Sequence, residues 1–223
     1  ADQVPYLQAI FTEKRVVSTL TTSPSLKSVY VGGSHGTNVL STIAGQSPGK
    51  LFGTAYLANF AIAQTEEDDS ELIVEEANWL RGAEWADSLG TDVLSSSLGY
   101  SEFDNLKQNH TYADMNGRTT LVSKAAAWAS QKGIICTISA GNEGTNTWKY
   151  ISAPADADSA KCLRVFSNTA LIVVLLEPCR PSSRASFVSP QRPSSSCCVI
   201  FNFLLIRVYF SPAKRLISIT LLY

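Results

Sequence analysis

Two short segments carry residue types that do chemistry. They are Ser34-His35-Gly36-Thr37-Asn38-Val39 and, far downstream, Ser139-Ala140-Gly141-Asn142-Glu143-Gly144. An imidazole titrates near neutral pH, so His35 is a candidate base that takes a proton from a nucleophile and hands it to a leaving group. The bland alternative is a capping or surface histidine. Asn142 is the second candidate. A side-chain amide at the end of a buried strand can donate to the oxyanion of a tetrahedral intermediate. The alternative there is a Gly-Asn turn selected for its left-handed backbone. Gly36, directly after the histidine, has no side chain and leaves room for a substrate backbone to approach.

These residues need elements that hold them. Val39, Leu40, Ile43 and Ala44 recur at helical spacing, with Ser34 as N-cap and Gly45 as stop, so the histidine opens a helix. Ala58 to Ala63 reads as a strand. A second helix follows Ser70, with Ile73, Ala77, Trp79, Leu80 and Ala83 on its apolar side and Gly90 at its end. Asp92-Val93-Leu94-Ser95 is the next strand, and Ser97-Leu98-Gly99 closes it as a strand end and turn. A polar loop runs from Tyr100 to Arg118. Leu121, Val122, Ala125, Ala126 and Ala129 mark a third helix, ended by Gly133, and Ile134 to Ser139 form another buried strand. Upstream, Val16-Val17 and Val29-Tyr30-Val31 read as short strands around a Thr/Ser/Pro loop. Helix, glycine and apolar strand occur twice in that order. This argues for βαβ units and a parallel sheet with right-handed crossovers. Such sheets gather their sites at the carboxyl ends of the strands, where Asn142 falls.

Composition divides the chain. Residues 1–160 hold ten Lys/Arg against eighteen Asp/Glu, whereas residues 161–223 hold eight Lys/Arg and the single acid Glu177. The basic residues of the tail are scattered among Leu, Ile, Val and Cys and form no stripe, which speaks against a nucleic-acid partner. All 13 glycines lie between Gly32 and Gly144. The tail therefore has apolar runs without helical or strict strand period, broken by clusters such as Pro181-Ser182-Ser183-Arg184, and no glycine turns. We divide the chain into a domain at 1–165 and an anomalous tail at 166–223, expected to be out of frame and not natively folded. A Gly-Thr-Ser sequence in another frame of the coding DNA would bear this out.

Several other signals carry little. Cys136 lies in an apolar run and reads as a buried structural thiol, and Cys197-Cys198 has no zinc spacing. Gly45-Gln46-Ser47-Pro48-Gly49-Lys50 is one residue short of a phosphate loop, and Leu51 stands where Ser or Thr should bind magnesium. Glu66 to Asp69 read as a solvated loop, and His110 as an exposed side chain in the polar loop. No apolar run reaches the roughly 18–20 residues that span a membrane, and no signal peptide is visible.

The His-Gly-Thr-Asn-Val segment and its continuation Leu40-Ser41-Thr42-Ile43-Ala44-Gly45, together with Ser139-Ala140-Gly141-Asn142-Glu143-Gly144, resemble the histidine and oxyanion-asparagine segments of subtilisin-like serine proteases. The stretch Trp148 to Ala157 is similar to the segment after the oxyanion turn in that family, and Asn109 to Gly117 is similar to an insert of its secreted bacterial members. The resemblance implies a three-layer α/β fold, a central parallel sheet flanked by helices, here incomplete at both ends. It implies a serine endopeptidase with His35 and Asn142 as catalytic residues and Ser97, Leu98 and Gly99 as the edge along which an extended substrate pairs. It also implies peptide or protein substrates, an extracellular or cell-envelope location and no catalytic cofactor, while allowing a structural calcium ion. It leaves substrate specificity and oligomeric state open. The family's aspartate and serine are not matched. Asp2 is followed by Gln3-Val4-Pro5 rather than the family's turn, and Ser182, Ser183, Ser186 and Ser189 do not sit in Gly-Thr-Ser. The chain itself is therefore expected to be inactive. The alternative is a noncatalytic protein that keeps the fold as a peptide-binding module.

Overall fold

The computed structural model describes residues 1–22, 24, 27–67, 69–145, 147–157, 163–165 and 218–223. A 3-10 turn at Pro5–Leu7 enters helix α1 (Gln8–Thr12), followed by strand β1 (Val16–Thr21) and helix α2 (His35–Ala44). A small hairpin, β2 (Gln46–Ser47) and β3 (Leu51–Phe52), leads to β4 (Asn59–Gln64) and α3 (Val74–Ser88). Then come β5 (Val93–Ser96), α4 (Leu121–Gln131), β6 (Ile135–Ser139), β7 (Leu163–Val165) and β8 (Ser218–Leu222). The main sheet has the order β1-β4-β8-β5-β6-β7, and every pairing in it is parallel.

Strands buried on both faces read as continuous apolar runs rather than alternating ones. Phe60-Ala61-Ile62-Ala63 and Ile219-Thr220-Leu221-Leu222 are such runs, and all eight residues are buried. Successive side chains still point to opposite faces, so each strand feeds two cores. Phe60, Ile62, Val93, Ile219 and Leu221 pack with Leu7, Ile10, Leu40 and Ala44 from the N-terminal helices. Ala63, Leu94, Cys136, Ile138 and Leu222 pack with Trp79, Ala83 and Ala86 of α3 and Val122, Ala125 and Ala126 of α4. The result is a parallel sheet between two helical layers.

Local chemistry fixes the helix ends. Thr120 is the N-cap of α4, and its hydroxyl accepts from Ser123 N at 3.2 Å. Gly90 and Gly133 follow α3 and α4 with φ of 70° and 98°, the left-handed turn that stops a helix. The Glu75 carboxylate, in the first turn of α3, accepts from Glu67 N and Leu72 N at 2.9 and 2.8 Å. Trp79 Nε1 donates to Ser96 Oγ at 2.9 Å and ties α3 to β5.

Two observations differ from the sequence reading. Val29-Tyr30-Val31 forms a turn, not a strand: Tyr30 N donates to Ser28 Oγ and Val31 N to Ser28 O, and Gly32 follows at φ 106°. Such local side-chain bonds compete with strand pairing. The second concerns Ser218–Leu222. These residues, assigned by sequence to the tail, form the strand between β4 and β5. Asp92 Oδ2 accepts from Ser218 N at 3.0 Å, and the Thr91 and Thr220 hydroxyls meet at 2.7 Å. Residues 166–217 lie outside the described residues. Among the described residues no helix is long and apolar enough to cross a membrane.

Leu221 is 1% exposed in the core beside the N-terminal helices. Leu221→Ala is expected to lower the unfolding free energy by about 2–5 kcal/mol, read as a lower urea midpoint with an unchanged slope.

Candidate functional site

Because every strand of the sheet is parallel, all carboxyl ends lie along one edge. β5 runs out there into Ser97-Leu98-Gly99, and β6 into Ala140-Gly141-Asn142. Ser152 joins the two. A β-carbon on Gly99 would stand 3.0 Å from Ser152 Cβ, and one on Gly141 2.9 Å from Ser152 Oγ. Ser152 N donates to Ala140 O, and Tyr100 and Ala153 exchange backbone bonds of 2.7 and 3.2 Å. Gly141 takes φ 90°, so its turn needs glycine both for backbone and for space. The next residue, Asn142, is exposed.

His35 reaches the same edge by another route. It opens α2 and is exposed. Gly36 is buried against the ring of Tyr223, which stands at the carboxyl end of β8; any β-carbon at Gly36 would collide with that ring. The space at Gly36, expected from sequence to admit a substrate backbone, is filled by this tyrosine. Tyr223 is held by the sheet, with Tyr223 N donating to Ala63 O at 3.1 Å and Thr65 N to Tyr223 O at 2.6 Å. Among the described residues no carboxylate pairs with the His35 imidazole. Asp2 instead lies 3.9 Å from the N-terminal ammonium. Ser182, Ser183, Ser186 and Ser189 lie outside the described residues.

An acidic group borders this edge where β4 ends. Glu66 is turned inward rather than solvated. Its Oε1 accepts from Tyr100 Oη at 2.6 Å and from Thr65 Oγ1 at 3.0 Å. Burial pushes its carboxyl up to about 8, against the pull of the Tyr100 donor and with a further push from Glu75. Glu71 is pushed up to about 7 by burial and by Glu75 and Asp104. Oxygens of Glu66, Glu71 and Glu75 come within 4.8 Å of one another. Calcium takes about six to eight oxygens. The three carboxylates offer six at most, and backbone and hydroxyl donors already engage Glu66 and Glu75.

The polar loop holds a second buried pair. His110 is not an exposed side chain: its imidazole bonds Glu76, and the side chains are 13% and 3% exposed. The Glu76 hydrogen bond holds the His110 imidazole above its ordinary value, against burial. The other Glu76 oxygen accepts from Val122 N at 3.1 Å, at the start of α4. Nothing in the sequence spacing marks this pair, because its members are brought together by tertiary packing alone.

The subtilase family model matches residues 14–199. The chain belongs to the subtilase family. No curated protein matches it. Among solved structures, this subtilase chain is similar to the prenylagaramide maturation protease PagA, with 20% identity and a TM-score of 0.47 over 73% of this chain and 58% of that one. The chain thus spans 58% of the length of that neighbour.

Glu66, together with Glu71, is expected to make the stability of this subtilase depend on pH. A carboxyl with a folded value near 8 and an ordinary value of 4.5 keeps a proton in the folded state that the unfolded chain releases. Its contribution to stability is complete below pH 4.5 and is lost as pH rises through 8. Urea midpoints should therefore fall across that window in the native chain, and Glu66→Gln should flatten the fall. An equally steep fall in the variant would exclude Glu66 as its source.

Proposed function

We propose that this domain is built for serine-type endopeptidase chemistry on peptide or protein substrates, outside the cell or in its envelope. The supporting observation is convergence. The His35 turn, the Ser97–Gly99 segment and the Gly141-Asn142 turn come from three separate stretches of chain and reach one edge of the sheet. In this reading an extended substrate pairs its main chain with Ser97-Leu98-Gly99. His35 takes the proton of the attacking serine hydroxyl as that oxygen bonds to the scissile carbonyl carbon. Asn142 donates to the resulting oxyanion. His35 then protonates the leaving amine as the C–N bond breaks, and water releases the acyl group by the same sequence.

The attacking serine and the carboxylate that orients the imidazole belong to parts of the family pattern that this chain does not match. The chain alone is therefore proposed to be inactive. That no carboxylate among the described residues pairs with His35 favours a second reading, a noncatalytic module that binds extended peptides along the same edge. A fluorophosphonate probe separates the possibilities. No labelling of the 223-residue chain is expected, and stoichiometric labelling of any serine would overturn its proposed inactivity.

In a complete enzyme carrying this domain, His35→Ala should remove most turnover of a peptide ester while leaving the slow residual rate due to the oxyanion donors and binding. Undiminished kcat would reject the assignment and leave the binding module. Asn142→Ala should lower kcat by about 10²–10³ with little change in KM, a magnitude carried over from the oxyanion asparagine of subtilisin itself. A raised KM at constant kcat would instead make Asn142 a binding residue.

A further inference from the structure

The first turn of α2 is held from outside. Ser34 stands at the N-cap position with φ −88° and ψ −9°, already helical, and its side chain caps no helix N–H. A helix start without a cap has unsatisfied donors and little to fix its entry angle. Two contacts from Tyr223 fix the entry to the helix, although neither accepts from a helix N–H. The Tyr223 ring lies against Gly36, in the space a side chain would occupy. The Tyr223 hydroxyl donates to the Val29 carbonyl at 2.5 Å, on the loop that leads into the helix. Val29 is itself buried in the core beside α2 and β8. The ring therefore bridges the loop before the helix and the helix's second residue. Its own backbone is fixed by bonds to Ala63 and Thr65.

We infer that Tyr223 is a positioning residue for His35. Seating β8 between β4 and β5 delivers the phenol ring to Gly36, and the ring sets where the first turn of α2 lies. The direction of the neighbouring imidazole then depends on Tyr223. Tyr223 acts through Gly36 and Val29 and is not placed against a substrate. The catalytic meaning of this coupling rests on His35 being the base, but the geometry is testable without turnover.

The chain contains two histidines, so His110, bonded to Glu76, is an internal control. In the native chain, nuclear Overhauser contacts should join the Tyr223 ring protons to the Gly36 α-protons. Tyr223→Ala should move the His35 ring resonances and speed exchange of the Gly36 amide about tenfold or more, as local opening becomes easier. The His110 resonances should stay in place. Tyr223→Phe keeps the ring and should hold His35 near its native position. Gly36→Ala, with Tyr223 intact, should displace His35 as Tyr223→Ala does. The inference fails if the native contact is not observed, or if either alanine variant leaves His35 unmoved. It also fails if both histidines shift together, since that marks general loosening. If Tyr223→Ala does not fold, the native contact and Gly36→Ala decide. Fluorophosphonate labelling and peptide turnover play no part, so this result and the endopeptidase reading can fail separately.

Discussion

Strands β4 and β5 each present a row of peptide N–H and C=O groups to the space between them, and the rest of the structure depends on how that space is filled. The sheet is covered on both faces, so water cannot reach those groups. Each one left unpaired would cost about 1–3 kcal/mol. β8 satisfies both rows at once. It pairs Asn59 to Ala63 on one side and Val93 to Ser96 on the other. It also supplies Ile219 and Leu221 to one core and Leu222 to the other, where a β-carbon on Gly82 would stand 2.8 Å from Leu222 Cδ2. The spacing of α3 above the sheet is thus set by the same strand that closes the hydrogen-bond ladder.

The polar loop between β5 and α4 sends Tyr100, Phe103 and Met115 into the core shared with α3 and α4, and buried carboxylates organise the rest of it. Glu76 reaches from α3 to His110 and to the first turn of α4. Asp156 accepts from Gly117 N at 2.8 Å and Ser123 Oγ at 2.5 Å, and Ser123 is in turn bonded to Thr120. A buried charge needs such partners, since an unpaired one costs far more than the pair returns. The 152–157 segment therefore faces two ways. Ser152 spaces the Gly99 and Gly141 turns, and Asp156, four residues on, anchors the loop. The Gly99 and Gly141 turns and the loop are mechanically joined through it.

Much of this was legible in the sequence, and the reasons for what was not are physical. The helix opened by His35 and stopped by Gly45 showed in the spacing of Val39, Leu40, Ile43 and Ala44. Gly90 and Gly133 marked helix ends because only glycine takes their left-handed backbone cheaply. The strands at 59–64, 93–96 and 135–139 fell within a residue or two of their apolar runs. The β2–β3 hairpin left a signal in Pro48-Gly49, where Gly49 takes φ 75° and Lys50 N bonds Ser47 O. β8 left none. A strand buried on both faces has no alternation, and Ser-Ile-Thr-Leu-Leu looks like its apolar neighbours in the tail until a two-sided slot selects it. Glu66 looked solvated because a run of four acids reads as surface, whereas Tyr100, far along the chain, turns one of them inward.

The carboxyl end of β8 also sets what packs against the start of α2, beside His35. An imidazole serving as a base needs a neighbour that fixes its tautomer and stabilises the imidazolium, and a carboxylate does both. The group that β8 delivers to the start of α2 is a phenol. Its proton is committed to Val29 O, and its ring faces the Gly36 backbone. Such a group orients by packing and carries no negative charge to the imidazole. The central strand of this sheet thus packs a ring against the start of α2, and the carboxylate that the proposed base would also need is not beside His35 among the described residues.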